Sequence, residues 1–359
     1  MDTSTAKRVA WGLSATASAT WAVAVSIGGL WGRVADHWVS ALTMLFGGLL
    51  SGSSPAGGGA VAFPVFTKAL DVPGSVARTF GLSIQAVGMT LAVVAIVLYH
   101  RPLERRALAL SIPAAVVGFL TGLALLGESA EVFWSPTFSP GWVKATFSIV
   151  LATTSILMVR RLRQPDEGLA TAPWHPELSA IVVAAAFGGG VLSSLTGTGA
   201  NILLFLVLVV VAGAAPKVAL PTSIAVMASV SVVGIVLLGL IDGQLDVEVL
   251  GDRIVSVGGQ PVDMAASEAD LLGLWLAAVP VVVWGAPLGS WAAARVNERL
   301  LVGFVAVLAA VEVATTLVLV DELRSNGAMI AYMFVGLIVL PLGLIALSRR
   351  RRTWLRTAA

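Results

Sequence analysis

Cysteine is absent, which rules out disulfides, thiolate metal sites and persulfide chemistry. Histidine occurs only as His37, His100 and His175, too scattered for an imidazole metal centre, and no cofactor is expected. Charge is scarce as well: Asp, Glu, Lys and Arg make up 12% of the 359 residues, whereas 57% are hydrophobic and the mean hydropathy is +0.93. A soluble core of this length could not hide that much apolar surface, so lipid is the expected solvent. Apolar runs of about 20 residues, the length a bilayer core requires, recur along most of the chain.

The sequence pI of about 9.3 does not point to nucleic acid. Its basic residues stand in short clusters between apolar runs, at Arg101, Arg105 and Arg106, at Arg160, Arg161 and Arg163, and at Arg349 to Arg352. That pattern belongs to membrane topology and not to a DNA-binding stripe. The stretch 9–31 follows Lys7 and Arg8 as the apolar part of a signal peptide would, but its length and its tryptophans favour a retained first span.

Four successive segments of the first half return in order in the second half. FGGLLSGSSPAGGGAVAFPVF at 46–66 returns as GGVLSSLTGTGANILLFLVL at 189–208, setting Gly48, Ser51, Gly57 and Phe63 against Gly190, Ser193, Gly199 and Phe205. SVARTFGLSI from Ser75 returns as KVALPTSIAV from Lys217. Pro113, Gly118 and Gly122 share their spacing with Pro280, Gly285 and Gly289, which puts small residues on one helix face where a neighbour can approach closely. Ala-Thr-Thr occurs at 152–154 and again at 314–316.

The glycine-rich segments 38–70 and 178–213 would run roughly 50 Å as single helices, well beyond a hydrocarbon core of about 30 Å. Each either crosses obliquely with a break or enters and leaves on one side as a hairpin. With two hairpins and both termini inside, eight spans remain, at 9–31, 74–99, 106–127, 141–159, 216–241, 270–293, 299–320 and 328–348. Only Arg33, Lys68, Arg78, Lys144, Arg253 and Arg324 then lie outside. If both segments cross fully, the arginine clusters near 101 and 160 move outside and the inward bias weakens, so the hairpin reading is preferred.

One hairpin plus three spans is an odd number of crossings, so the second unit is expected upside down relative to the first, as in many secondary transporters. The expected fold is an all-α polytopic membrane protein of two inverted repeats with one extra helix at each terminus. Its parts are a first span (1–37), repeat 1 (38–160), a cytoplasmic linker (161–176), repeat 2 (177–320) and a last span with a basic tail (321–359). An extracytoplasmic loop at 242–269 contains DVEVLGDRIVSVGG, a candidate pair of strands.

Glycine at Gly57, Gly58, Gly59, Gly197 and Gly199 frees the backbone from helical dihedrals and bares its N–H groups. A helix resuming after such a break presents unpaired donors and the positive end of its dipole, which suits an anion. Ser51, Ser53, Ser54, Ser193, Ser194, Thr196, Thr198 and Asn201 add hydroxyl and amide groups, and Gln85, Thr222 and Ser223 are polar positions in the next segment of each unit. The bland reading is that glycine and serine merely pack helices, but GSSPAGGGA, with Pro55 inside it, cannot continue as an ordinary helix. Non-helical backbone at membrane depth survives where it lines a cavity or is covered by protein. Neither run has the Gly-Lys-Ser/Thr ending of a phosphate loop.

Glu312 lies mid-span, where a carboxylate is costly and is usually functional or neutralised, and it is a candidate proton carrier. Counting from the shared Ala-Thr-Thr, its counterpart is Val150. Arg78 and Lys217 occupy similar places in the two units and could steer anions inward. Lys68 and Lys144, near helix ends, are expected to snorkel to the interface.

GGLLSGSSPAGGG, its second copy GGGVLSSLTGTGAN, the ALPTS run at 219–223 and WGAPLGSWAAARV at 284–296 together resemble the TauE/SafE sulfite exporter family, the toluene sulfonate uptake permeases. The likeness covers about residues 40–320 and departs from the usual pattern at Pro55 and at Ala200–Asn201. It implies a secondary transporter, not an enzyme, in a prokaryotic cytoplasmic membrane, moving sulfite, sulfonates, thiosulfate or other small organic anions with protons. It maps the repeated glycine-rich segments onto 51–59 and 193–201. Thiosulfate uptake through a cysteine is excluded, since no thiol exists. An anion channel is the nearest alternative, and a helix-binding scaffold is another. A membrane enzyme needs paired catalytic groups at one depth, and Glu312 stands alone.

Overall fold

The computed structural model describes residues 3–70, 72–126, 140–162, 174–245, 270–293, 295 and 297–357. All regular structure among them is helical. The candidate strands beyond residue 245 lie outside the described residues.

The helices, in chain order, are α1 (Thr3–Ile27), α2 (Trp31–Asp36), α3 (Trp38–Ser53), α4 (Gly59–Pro64), α5 (Gly74–Leu98), α6 (Arg105–Leu126), α7 (Pro140–Leu162), α8 (Pro176–Thr196), α9 (Ala200–Leu206), α10 (Pro216–Gly234), α11 (Leu271–Ala293), α12 (Glu298–Leu319), α13 (Asp321–Ser325) and α14 (Gly327–Thr357). Wider π-type turns extend α4, α9 and α10 at Val65–Ala69, Val207–Val211 and Ile235–Ile241. The starts follow local chemistry. Pro176 and Pro216 sit in the first turns of α8 and α10, where the missing N–H costs nothing, and Asn297 caps α12 by accepting from the Arg299 N–H at 3.0 Å.

Eight of these segments are long and apolar enough to cross a membrane: Gly74–Leu98, Arg105–Leu126, Gly141–Leu162, Pro176–Thr196, Pro216–Ile241, Leu271–Ala293, Val302–Leu319 and Gly327–Arg350. The chain is thus a multi-pass membrane protein. The first arm of the second glycine-rich segment, α8, is among the eight, whereas the first arm of the other, α3, has 16 residues. Helix α1 is 25 residues long but less apolar, and it stops at Ile27 instead of running to Trp31, because Gly28 and Gly29 turn the chain into α2. It is fastened along α11: Trp11 stacks on Trp284 at 5.8 Å, Ser14 donates to the Val283 carbonyl and Trp21 to that of Leu276.

The tightest packing joins α3 to α11 and α6 to α8, each pair drawn from opposite halves of the chain. Glycine makes both possible. A Cβ on Gly52 would lie 1.9 Å from the Ala286 carbonyl oxygen and one on Gly289 2.0 Å from that of Leu49. One on Gly118 would meet the Phe187 carbonyl at 2.1 Å, and one on Gly190 that of Ala115 at 2.0 Å. The spaced glycines of the repeated segments therefore sit at backbone-to-backbone crossings. In the middle α5 faces α10, while α12 and α14 lean on α7. The outer surfaces of α12 and α14 expose Val307, Val311, Phe334, Val335, Ile338 and Leu342, an apolar belt suited to lipid and not to water.

Candidate functional site

Both glycine-rich segments break and turn back. In the first, α3 ends at Ser53, Ser54 is extended (φ −135°, ψ 153°), and Gly57 takes φ 71° before α4 begins. Gly58 then lies against Gly47 and Ser51, so α4 returns along α3. In the second, α8 ends at Thr196, Gly197 takes φ 73° and Gly199 φ 148°. Ala200 packs on Gly189, and the Leu192 side chain sits where a Cβ on Gly199 would go. Such dihedrals strain any residue with a side chain, which explains glycine there.

The two turns meet. A Cβ on Gly59 would lie 2.7 Å from Gln85 Nε2 and 2.9 Å from Thr198 Cβ, and the Thr198 hydroxyl donates to the Ala56 carbonyl at 3.5 Å. Gln85, on α5, is the clasp: its Nε2 donates to the carbonyls of Gly81 (2.9 Å) and Gly197 (2.7 Å), and this pair of bonds fixes the amide's orientation. Its Oε1 is left without a hydrogen-bond partner, as is Asn201 Nδ2, and both residues are fully buried. Both unspent atoms face the same spot. A Cβ on Gly57 would lie 2.9 Å from Asn201 Nδ2, 3.2 Å from Gln85 Oε1 and 2.6 Å from Met89 Cε. An acceptor and a donor left open in one dry place are costly unless something completes them.

Of the residues singled out from the sequence, Gly57, Gly59, Gly197, Thr198, Asn201 and Gln85 come together, Gly58 packs on α3, Gly199 faces Leu192, and the remainder do local work. Ser51, Ser53 and Ser54 donate to the carbonyls of Gly47, Leu49 and Leu50, one turn back in α3. Ser193 donates to the Gly189 carbonyl and accepts from the Ala200 N–H at 3.0 Å, so one of the bared donors of the second break is already taken. Thr196 donates to the Thr198 carbonyl at 2.6 Å, tightening that turn, and Ser194 sits against Gly122 of α6. Thr222 accepts from the Glu104 N–H, away from the breaks, and Ser223 bonds to the Leu220 carbonyl within its own helix. Arg78 is 3% exposed, with its own carbonyl pressed on Gly197, whereas Lys217 is exposed. Beside the first break, a small pocket of about 40 Å³ is lined by Ser53, Ser54, Pro55, Met158, Phe205, Pro216, Leu220, Val302 and Val305.

Glu312 does not stand alone. Lys68, expected to snorkel, is buried in the π turn after α4 and pairs with Glu312 Oε1 at 2.5 Å, each side chain 3% exposed. Lys68 also donates to Thr316 at 2.7 Å, and Ser148 of α7 donates to Glu312 Oε1 at 3.0 Å. Glu312 Oε2 is buried with no hydrogen-bond partner. Lys144 of α7 donates to the Thr67 carbonyl at 3.0 Å, bringing a second cation to the same place. The repeat register held the missed signal: it sets Lys68 against Val210 and Glu312 against Val150, so two intramembrane charges each lack a counterpart.

No curated protein and no solved structure gives a significant match to this chain. A family model described as Sulfite exporter TauE/SafE does match, over residues 39–315, a stretch that contains both breaks, Gln85 and Glu312. With most of its length covered by that model, the chain belongs to the TauE/SafE sulfite exporter family.

Proposed function

We propose that this chain is a secondary transporter that binds a small oxyanion, such as sulfite, a sulfonate or another organosulfur or organic acid, between its two glycine breaks and moves it together with protons. The observation that carries this reading is the pair of unspent, buried atoms facing Gly57: the amide hydrogens of Asn201 Nδ2 donate to the anion and Gln85 Oε1 accepts. A donor opposite an acceptor fits an anion that keeps one hydrogen of its own, hydrogensulfite or a singly protonated acid, better than a bare dianion. As the turns stand, the space over Gly57 is closed, so the breaks part to admit substrate. Met89, unbranched and adaptable, is the side chain that yields first.

The inverted-repeat reading is supported by how the helices pair. Exchanging the two halves turns the α3–α11 contact into the α8–α6 contact, while α5–α10 and α7–α12 map onto themselves, as expected of elements flanking a two-fold axis. The sidedness in which each hairpin enters and leaves on a single face, the first outside and the second inside, with both termini cytoplasmic, is supported by contacts between segments assigned to the same side. On the outside Arg33 pairs with Asp270 at 2.5 Å, and the Gly141 N–H donates to Glu322. On the inside Arg106 lies over the Trp174 ring, and Arg101 donates to the Ser290 carbonyl. Arg101 is held below its ordinary pKa first by burial and then by Arg295, which the same scheme also sets inside.

Proteoliposome flux tests the reading. Sulfite, present in part as hydrogensulfite, is expected to move across the membrane in response to an imposed pH gradient, and Asn201→Ala to slow it at least about tenfold, a change of about 1.4 kcal/mol. Flux in Asn201→Ala equal to the unaltered protein's would remove the site.

A further inference from the structure

The Lys68–Glu312 cluster joins the returning arm of the first hairpin to α12 and α7, and the repeat register sets valines, Val210 of the second hairpin and Val150 of α7, at the matching places. Facing Glu312 are Lys68 from the π turn, Ser148 from α7, and Thr315 and Thr316 from its own helix, with Lys144 behind Lys68. On the neighbouring α13, Asp321 pairs with Arg324 and Glu322 accepts from the Gly141 N–H, so those charges are engaged elsewhere. Lys68 and Glu312 are thus paired in a dry setting, and the carboxylate keeps a buried oxygen, Oε2, that nothing bonds. A carboxylate in this position has a ready place for one proton, and Lys68 can give strong charge-assisted bonds to one anionic partner at a time.

We propose that Lys68 is a second anion-binding residue, held in reserve by Glu312: when Glu312 Oε2 takes up a proton, the ion pair opens and the Lys68 ammonium, with the Ser148 and Thr316 hydroxyls, receives the transported anion in place of the carboxylate. One proton and one anion then occupy the cluster together, which supplies the coupling that the proposed function requires and rests on that reading. The charge count balances, since a proton on Glu312 and an anion on Lys68 leave the net charge of the cluster unchanged. The valines at 150 and 210 confine this step to one of the two hairpins.

The test measures methanesulfonate and sulfite binding to the purified full chain across pH, by calorimetry or thermal shift. Methanesulfonate is the main probe because its charge stays constant. In the unaltered protein, affinity is expected to tighten as pH falls, approaching about tenfold per pH unit, the limit for one coupled proton. Glu312→Gln is expected to bind at every pH as the acidified protein does, with a flat profile. Lys68→Val combined with Glu312→Val copies the second hairpin, is expected to fold, and should bind at least about tenfold more weakly than Glu312→Gln, also without pH dependence. A Glu312→Gln variant that keeps the original pH profile would overturn the proposal, and so would a double variant that binds as tightly as Glu312→Gln. If neither probe binds the unaltered protein or Glu312→Gln at any pH, the anion reading of the glycine breaks fails, and this proposal fails with it.

Discussion

The two glycine-broken segments share a sequence pattern yet close their turns in different ways. The second turn takes three residues, Gly197 to Gly199, and is sealed from within: Thr196 bonds across it, Ser193 holds the Ala200 N–H, and Arg78 and Leu192 fill the space around its glycines. The first turn is longer, from Ser54 to Gly58. It borders the small pocket, and its returning arm ends not on valine but on a lysine tied to another helix by charge. The contrast teaches that a repeated fold element becomes a frame or a moving part according to what closes its turn. Under the proposed function the second segment would present Asn201 as a frame, and the first would carry Gly57 and Lys68 on the part that shifts.

The comparison breaks most severely at Lys68. Lys68→Val alone leaves the Glu312 carboxylate buried without its cation, and about 3–5 kcal/mol of stability should be lost, seen as a large drop in the melting midpoint in detergent. Restoring Glu312→Val should recover most of it, because a buried pair replaced by packed apolar groups is often near neutral.

Next in size is the frame. Gly197→Ala must hold φ 73° with its Cβ 2.4 Å from the Arg78 carbonyl, a backbone atom that cannot swing aside, so a loss of about 1–3 kcal/mol is expected. Gly57→Ala has a similar dihedral, but its Cβ would meet the movable end of Met89. The stability loss should therefore be the smaller of the two, while anion flux should fall further than in Gly197→Ala. Equal stability losses with equal flux would erase the distinction between frame and moving part.

Asn201→Ala should change stability by about 1 kcal/mol, since Nδ2 has no partner to abandon and Oδ1 accepts only a long bond from the Thr198 hydroxyl (3.4 Å), which also reaches the Ala56 carbonyl, yet it should reduce flux. At the small end stands Lys217→Gln. Its side chain is exposed, so it should alter stability by no more than about 0.5 kcal/mol and slow flux only at low salt, if it acts by steering. A salt-independent flux defect would mean that Lys217 contacts the substrate.

Much of the architecture was readable from the residues, for reasons the structure makes plain. The glycines spaced after Pro113 and Pro280 signal close backbone crossings because no larger side chain fits there, and α6–α8 and α3–α11 make those crossings. Pro55 and the clustered glycines signal breaks because a helix cannot run through them. The hydroxyls around the breaks were less legible: Ser51, Ser53, Ser54 and Ser223 satisfy nearby carbonyls in their own helices, an option every helical serine has and no spacing rule reveals. The Lys68–Glu312 pair was the largest omission. Its partners are 244 positions apart, and only the docking of the first hairpin on α12 joins them.

An anomalous difference map from crystals of the full chain grown with selenite, the heavier analogue of sulfite, tests the central claim most directly. The account predicts a selenium peak between Gly57 and Asn201, within hydrogen-bonding reach of Asn201 Nδ2 and Gln85 Oε1. Selenite that competes with sulfite in flux yet scatters only from another part of the molecule would contradict it.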